Sequence, residues 1–115
     1  MSLSEVVVGA TRRKLRLTFV DENGAPVNVS GGSARLQGTS ADLPSNTIDQ
    51  AGTIVDGPNG VFEWSQLGGT AYVSDSDLGG LSEATYTLRV KFTDAASQVD
   101  FGDEFVLTWK KAPAV

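Results

Sequence analysis

Along much of the chain apolar and polar residues alternate one by one, and the three- and four-residue spacing of an amphipathic helix does not recur. In Lys14-Leu15-Arg16-Leu17-Thr18-Phe19-Val20, Leu15, Leu17 and Phe19 fall on one side, as a half-buried strand requires. The cleanest run is further on: Tyr86, Leu88, Val90 and Phe92 share one face, while Thr87, Arg89, Lys91 and Thr93 share the other. Phe62 and Trp64 pair up in the same way within Val61–Ser65. Phe105, Leu107 and Trp109 alternate with Val106, Thr108 and Lys110 before Pro113 ends the pattern.

Between these runs stand residues that turn a chain. Asp21-Glu22-Asn23-Gly24 predicts a tight reversal, because Asn and Gly accept positive φ, and Ala25–Val29 follows as an edge segment since Pro26 has no ladder donor. Ser33–Gln37 reads as a short strand closed by Gly38, and residues 39–46 as a loop. Thr47–Val55 is rich in strand formers but broken by Gly52, which predicts a bulge or a turn between two very short strands. Asp56-Gly57-Pro58-Asn59-Gly60 is the strongest turn signal and implies a hairpin. Gly68-Gly69 precedes a short strand candidate at Ala71-Tyr72-Val73; residues 75–82 form a polar loop with one irregular helical turn; Asp94–Ser97 reverses the chain. About seven or eight short strands with one polar face each predict an all-β fold, a sandwich of antiparallel sheets or a small barrel, with the antiparallel β-sandwich of immunoglobulin-like type leading. The Cys-Trp-Cys hallmark of antibody domains is missing.

At 115 residues and 12.1 kDa there is room for one domain, expected to span 1–115 with flexible ends at 1–4 and 111–115. Hydrophobic residues make up 40% and charged residues 20%, which fits neither a disordered chain nor a membrane protein. No apolar run is long enough to span a bilayer, and Val6-Val7-Val8 is too brief for a signal-peptide core. His and Cys are absent, so zinc sites of imidazole or thiolate type, cysteine nucleophiles, Ser-His-Asp triads and disulfides are excluded. The net charge of −5 argues against nucleic acid and anionic lipid as partners. Its distribution is uneven: residues 1–20 sum to +3 through Arg12, Arg13, Lys14 and Arg16, and the remainder sums to −8. Those four residues are the candidate interaction surface, a basic strand set to meet an acidic face of a neighbouring copy. The plainer reading makes them the watered face of a strand, because Lys14 and Arg16 alternate with Leu15 and Leu17.

Other residue groups invite chemistry and each has a simpler account. Asp75-Ser76-Asp77 looks like the opening of an acidic calcium loop, yet Leu78-Gly79-Gly80 brings no third side-chain ligand and no closing Glu. Asp100, Asp103 and Glu104 contain the makings of an acid and base pair, but read as a charged turn entering the last strand. Trp64, Tyr72, Tyr86 and Trp109 would suit a sugar-stacking platform if exposed; Trp64 and Trp109 follow the apolar rhythm of core residues. The Gly pairs at 31 and 32, 68 and 69, and 79 and 80 lack the Lys-Ser/Thr ending of a phosphate loop. No catalytic residue, metal or cofactor is expected.

The run Phe19-Val20-Asp21-Glu22-Asn23-Gly24-Ala25-Pro26-Val27-Asn28-Val29-Ser30, with Ser33-Ala34-Arg35-Leu36, resembles the start of the N-terminal domain of lactococcal-type phage baseplate upper proteins. Gly60–Trp64 and Ala84–Val90 are similar to later strands of that family, and the likeness covers roughly residues 13 to 109. It implies a non-enzymatic structural component of a phage or prophage virion, in tail, neck or baseplate. Such a protein would be made in the bacterial cytoplasm, would be located in the virion, and would act through contacts with itself, as a homo-oligomer, and with other virion proteins. The alternative is a bacterial surface or carbohydrate-binding adhesion module of immunoglobulin-like fold.

Overall fold

The computed structural model describes residues 5–10 and 12–111. The longest alternating run becomes the longest strand: Ala84, Tyr86, Leu88, Val90 and Phe92 are all buried, and every residue between them faces water wholly or in part. Among the described residues nine strands form: β1 (Glu5–Val7), β2 (Leu15–Thr18), β3 (Ser33–Thr39), β4 (Ile48–Ala51), β5 (Thr53–Asp56), β6 (Val61–Trp64), β7 (Glu83–Thr93), β8 (Val99–Phe101) and β9 (Phe105–Lys110). One helical turn, α1 (Asp75–Leu78), precedes β7. The strands make two sheets, one in the order β1-β9-β7-β3-β4 with β8 also on β7, the other β2-β6-β5. Their dry faces meet, with Phe62 of β6 5.9 Å from Phe92 of β7 between ring centroids. The fold is therefore an all-β sandwich. Set beside the immunoglobulin arrangement, β2-β6-β5 takes the place of strands B-E-D and β9-β7-β3 that of G-F-C.

Gly52 is where the chain leaves one sheet for the other. Ile48–Ala51 pairs with β3 and Thr53–Asp56 pairs with β6, so a single residue separates strands of different sheets. A Cβ there would stand 2.7 Å from two carbons of the Trp64 indole, which fixes glycine at the crossing by close approach. The indole is held in turn by its Nε1, which donates to the Gln50 carbonyl at 2.8 Å.

The hairpin of β7 with the last two strands carries one extra residue. Lys91 pairs with Phe101 and Leu88 with Phe105, so three steps along β7 face four steps from β8 to β9. This is a bulge, and it reverses which side the alternation presents. Phe105 turns toward the core, whereas Phe101 is half exposed on the outer face with the Arg89 guanidinium 5.5 Å from its ring centre.

Several expectations are corrected. β1 lies parallel to β9, the one exception to antiparallel pairing among the described strands. Ala71-Tyr72-Val73 is no strand: the segment turns, and Tyr72 and Val73 are buried as single plugs with Tyr72 stacked on Trp109. Ala25–Val29 yields only an isolated bridge, Val20 to Pro26, closed by the Asp21 N–H on the Ala25 carbonyl at 2.8 Å and the Val27 N–H on the Phe19 carbonyl at 3.0 Å; the ladder goes no further because the Phe19 N–H donates to the Gly60 carbonyl instead, at 2.8 Å. The count rises to nine through the three-residue β1 and β8. The expected flexible ends 1–4 and 112–115 lie outside the described residues. Lys111 is tied down, its N–H donating to the Ser82 carbonyl at 2.8 Å and its Nζ to that of Gly79 at 3.1 Å.

Gly52→Ala is expected to lower stability by about 1–3 kcal/mol through overpacking against Trp64. Urea titration checks this: the midpoint falls while the slope and the circular dichroism spectrum of the native state stay unchanged.

Candidate interaction surface

Arg12, Arg13, Lys14 and Arg16 enter the second sheet by way of β2, and the structure divides their roles. Arg16 pairs in register with Glu63 of β6, so both side chains leave the same outer face. The guanidinium donates from Nη2 to Glu63 Oε2 at 2.7 Å and from Nε at 3.2 Å, while Lys14 Nζ stands 3.7 Å from Oε1. Arg13 donates to the Glu5 carbonyl at 3.0 Å. Arg12 is exposed and has no ion pair among the described residues. The alternation that marked a watered strand face is thus present, and its charge is answered within the chain by a carboxylate 47 residues away from Arg16.

That convergence acts on Glu63. The hydrogen bond from Arg16, with the nearby Lys14 charge, holds its carboxyl below the ordinary value, against a smaller opposing effect of burial. Similarly the Arg35 bond at 2.7 Å lowers Asp49 on the outer face of the large sheet. Glu5 accepts from Lys110 at 3.0 Å and raises that ammonium. Both faces of the sandwich are therefore laced with paired charges.

The aromatic residues considered for sugar stacking are inside. Trp64, Tyr86 and Trp109 are fully buried and Tyr72 nearly so. Burial raises both tyrosine hydroxyls above their usual range, for Tyr86 against an opposing hydrogen bond from Asn46. Asn46 Nδ2 donates to Tyr86 Oη at 2.7 Å and Tyr86 Oη donates to the Asn46 carbonyl at 3.2 Å. The Asp75-Ser76-Asp77 group is a helix start: Ser74 Oγ accepts from the Asp77 N–H at 3.1 Å and Asp77 Oδ2 accepts from the Ser74 N–H at 2.9 Å. The signal was present as Ser-x-x-Asp before an apolar residue, Leu78, which is buried.

Asp100, Asp103 and Glu104 part company. Glu104 pairs with Arg89 at 3.1 Å on the outer face. Asp100 and Asp103 line a cleft of 310 Å³ at the open side of the sandwich, between the end of β2 and the β8–β9 bulge. Leu17, Phe19, Val90 and Phe105 supply its apolar wall. The cleft joins residues from opposite ends of the sequence, so only the register of the two sheets reveals it.

No family model matches the chain, and no curated protein matches it closely enough to be reported as a relative.

The lowered carboxyl of Glu63 contributes stability that is present above its ordinary value of 4.5 and is lost as pH falls through the lower folded value. Glu63→Gln is expected to remove that part of the acid dependence, making denaturation midpoints less sensitive to pH below 4.5 than those of the parent protein. Guanidinium titrations of both proteins across that range check it.

Proposed function

We propose that the protein is a non-enzymatic assembly component, a structural part of a phage or prophage virion that works by being contacted. The observation that supports this most directly is where the chemistry lies. The large aromatic side chains of Trp64, Tyr86 and Trp109 are spent on the core, and the ionised groups of the outer faces neutralise one another across strands. Accessible besides these are apolar side chains, such as Val99, Phe101 and Val106, and strand edges without a partner among the described residues. Such features serve packing against other proteins better than turnover of a small molecule. The likeness to baseplate proteins in Phe19–Ser30 and Ala84–Val90 supports the virion setting.

Self-association is expected at high protein concentration and low salt, and is expected to retreat toward the 12.1 kDa monomer as salt rises from about 0.05 M to about 1 M. The exposed Arg12 makes it the sensitive site, so Arg12→Glu with Arg13→Glu should weaken association further. Light scattering with electron microscopy of the concentrated protein decides: rings, tubes or stacked particles support assembly, and a monomer under every condition sinks the self-assembly part of the reading. Sugar-dependent quenching of tryptophan fluorescence would favour the adhesion module instead.

A further inference from the structure

Among the described residues the two sheets leave one side of the sandwich open. Among the described strands β2 pairs only with β6, β8 pairs only with β7, and β1 covers β9 from Thr108 to Lys110. Two strand edges without a partner among the described residues thus border the cleft, where an added strand would find partners for its own N–H and C=O groups. Exposed apolar residues gather along the same edges: Val20, Val99, Phe101 and Val106 are each about half exposed.

Asp100 sets the terms of entry. It lies opposite buried Phe92 in the β7–β8 ladder, and directly opposed residues of antiparallel strands point to the same side. Its carboxylate is therefore at a cleft-facing position, where its one hydrogen bond among the described residues comes from the neighbouring Phe101 N–H at 2.8 Å. Neither Asp100 nor Asp103 has an ion pair among the described residues: Arg89 is bound to Glu104, and Lys91, opposite Phe101, stands on the other face of the ladder from Asp100. An inward-facing charge on an edge strand blocks indiscriminate pairing. It also blocks pairing of β8 with itself, since a two-fold axis through the middle of this three-residue strand sets Asp100 against Asp100.

We propose that this open side accepts an extended strand of a different protein, added along β8, whose cleft-facing residues are apolar except for one lysine or arginine opposite Asp100. The apolar side chains fill the space walled by Leu17, Phe19 and Phe105, and the cation answers Asp100 with Asp103 nearby. Charge here selects the partner and excludes a second copy. The inference rests on the reading of the protein as an assembly component and names the chemistry of one contact.

The test uses the full chain and two synthetic peptides, Thr-Val-Thr-Lys-Thr-Val-Thr and the same sequence with Glu in place of Lys. In a nitrogen-15 NMR titration, the Lys peptide should shift the amides of Val99–Phe101 and Leu17–Val20 saturably, and the Glu peptide should bind more weakly. Asp100→Asn should weaken the Lys peptide by about threefold to fivefold. Asp100→Lys should invert the preference toward the Glu peptide. Equal affinity for both peptides, shifts confined to other parts of the sheets, or an unaltered preference in the Asp100 variants each overturn the proposal. Scattering and microscopy on the unliganded protein report separately on assembly: particles without peptide selectivity leave the assembly reading standing and remove this one.

Discussion

β7 is the strand the sandwich cannot do without, because it is bonded along both edges and dry on one face. β3 runs down one side of it while β9 and then β8 share the other. Its inward residues alternate at every second position from Ala84 to Phe92, so a slip of one residue would send all five into water and bring Glu83, Thr85, Thr87, Arg89 and Lys91 inside. Burying a large apolar side chain is worth about 1.5–3 kcal/mol, which makes any such register uncompetitive. The neighbours inherit the register. Leu36 of β3 meets Val90, Leu107 of β9 meets Tyr86, and the core follows from these pairs.

Polar atoms inside that core are fully accounted for, and this narrows the arrangement further. Trp109 Nε1 donates to the Leu67 carbonyl at 2.9 Å and Trp64 Nε1 to that of Gln50 at 2.8 Å. Each bond reaches from a strand to an irregular or edge segment, so the indoles pin loops to sheets as well as filling space. Tyr86 and Asn46 do the same for the loop before β4. Among the described residues no buried side-chain nitrogen or oxygen lacks a partner. Apolar packing alone tolerates several arrangements; a set of directional bonds satisfied together favours one.

The parts of this fold that were legible in the sequence are those governed by neighbours within a few residues. The alternation of Tyr86–Phe92 and Phe105–Trp109, the turn residues at Asp56–Gly60 and Asp94–Ser97, and the break at Gly52 all act locally, and each stands where the pattern put it. What escaped depends on distant partners. β8 has no buried residue of its own and exists because β7 offers an edge. β1 follows β9 in parallel, a pairing no local pattern announces. Ala71–Val73 has strand composition, but it is consumed in plugging the core beside Trp109. The basic segment was legible as a solvated face, whereas Glu63 as its common counter-ion required the β2–β6 register. Asp100 read as part of a charged turn for the same reason: the bulge that assigns it to the cleft is a property of two strands at once.

The same register shows why a charge split along the sequence does not carry over into a charge split on the surface. Lys14 and Arg16 meet Glu63, Arg35 meets Asp49, Arg89 meets Glu104 and Lys110 meets Glu5. Most of these pairs are exposed, so each adds little to stability, but each cancels field at a distance. Many remaining acids are occupied locally in turns, as with Asp21 and Asp94, each of which accepts two backbone N–H groups. Long-range attraction is consequently weaker than a segment sum of +3 against −8 suggests. On the proposed reading, selectivity falls to short-range matching where pairing is incomplete, and the open side is such a place, with two strand edges and two carboxylates that have no partner among the described residues. Paired charges on the sheet faces contribute little to selectivity at a distance, so on the proposed reading the short-range fit at the cleft carries the discrimination between partners.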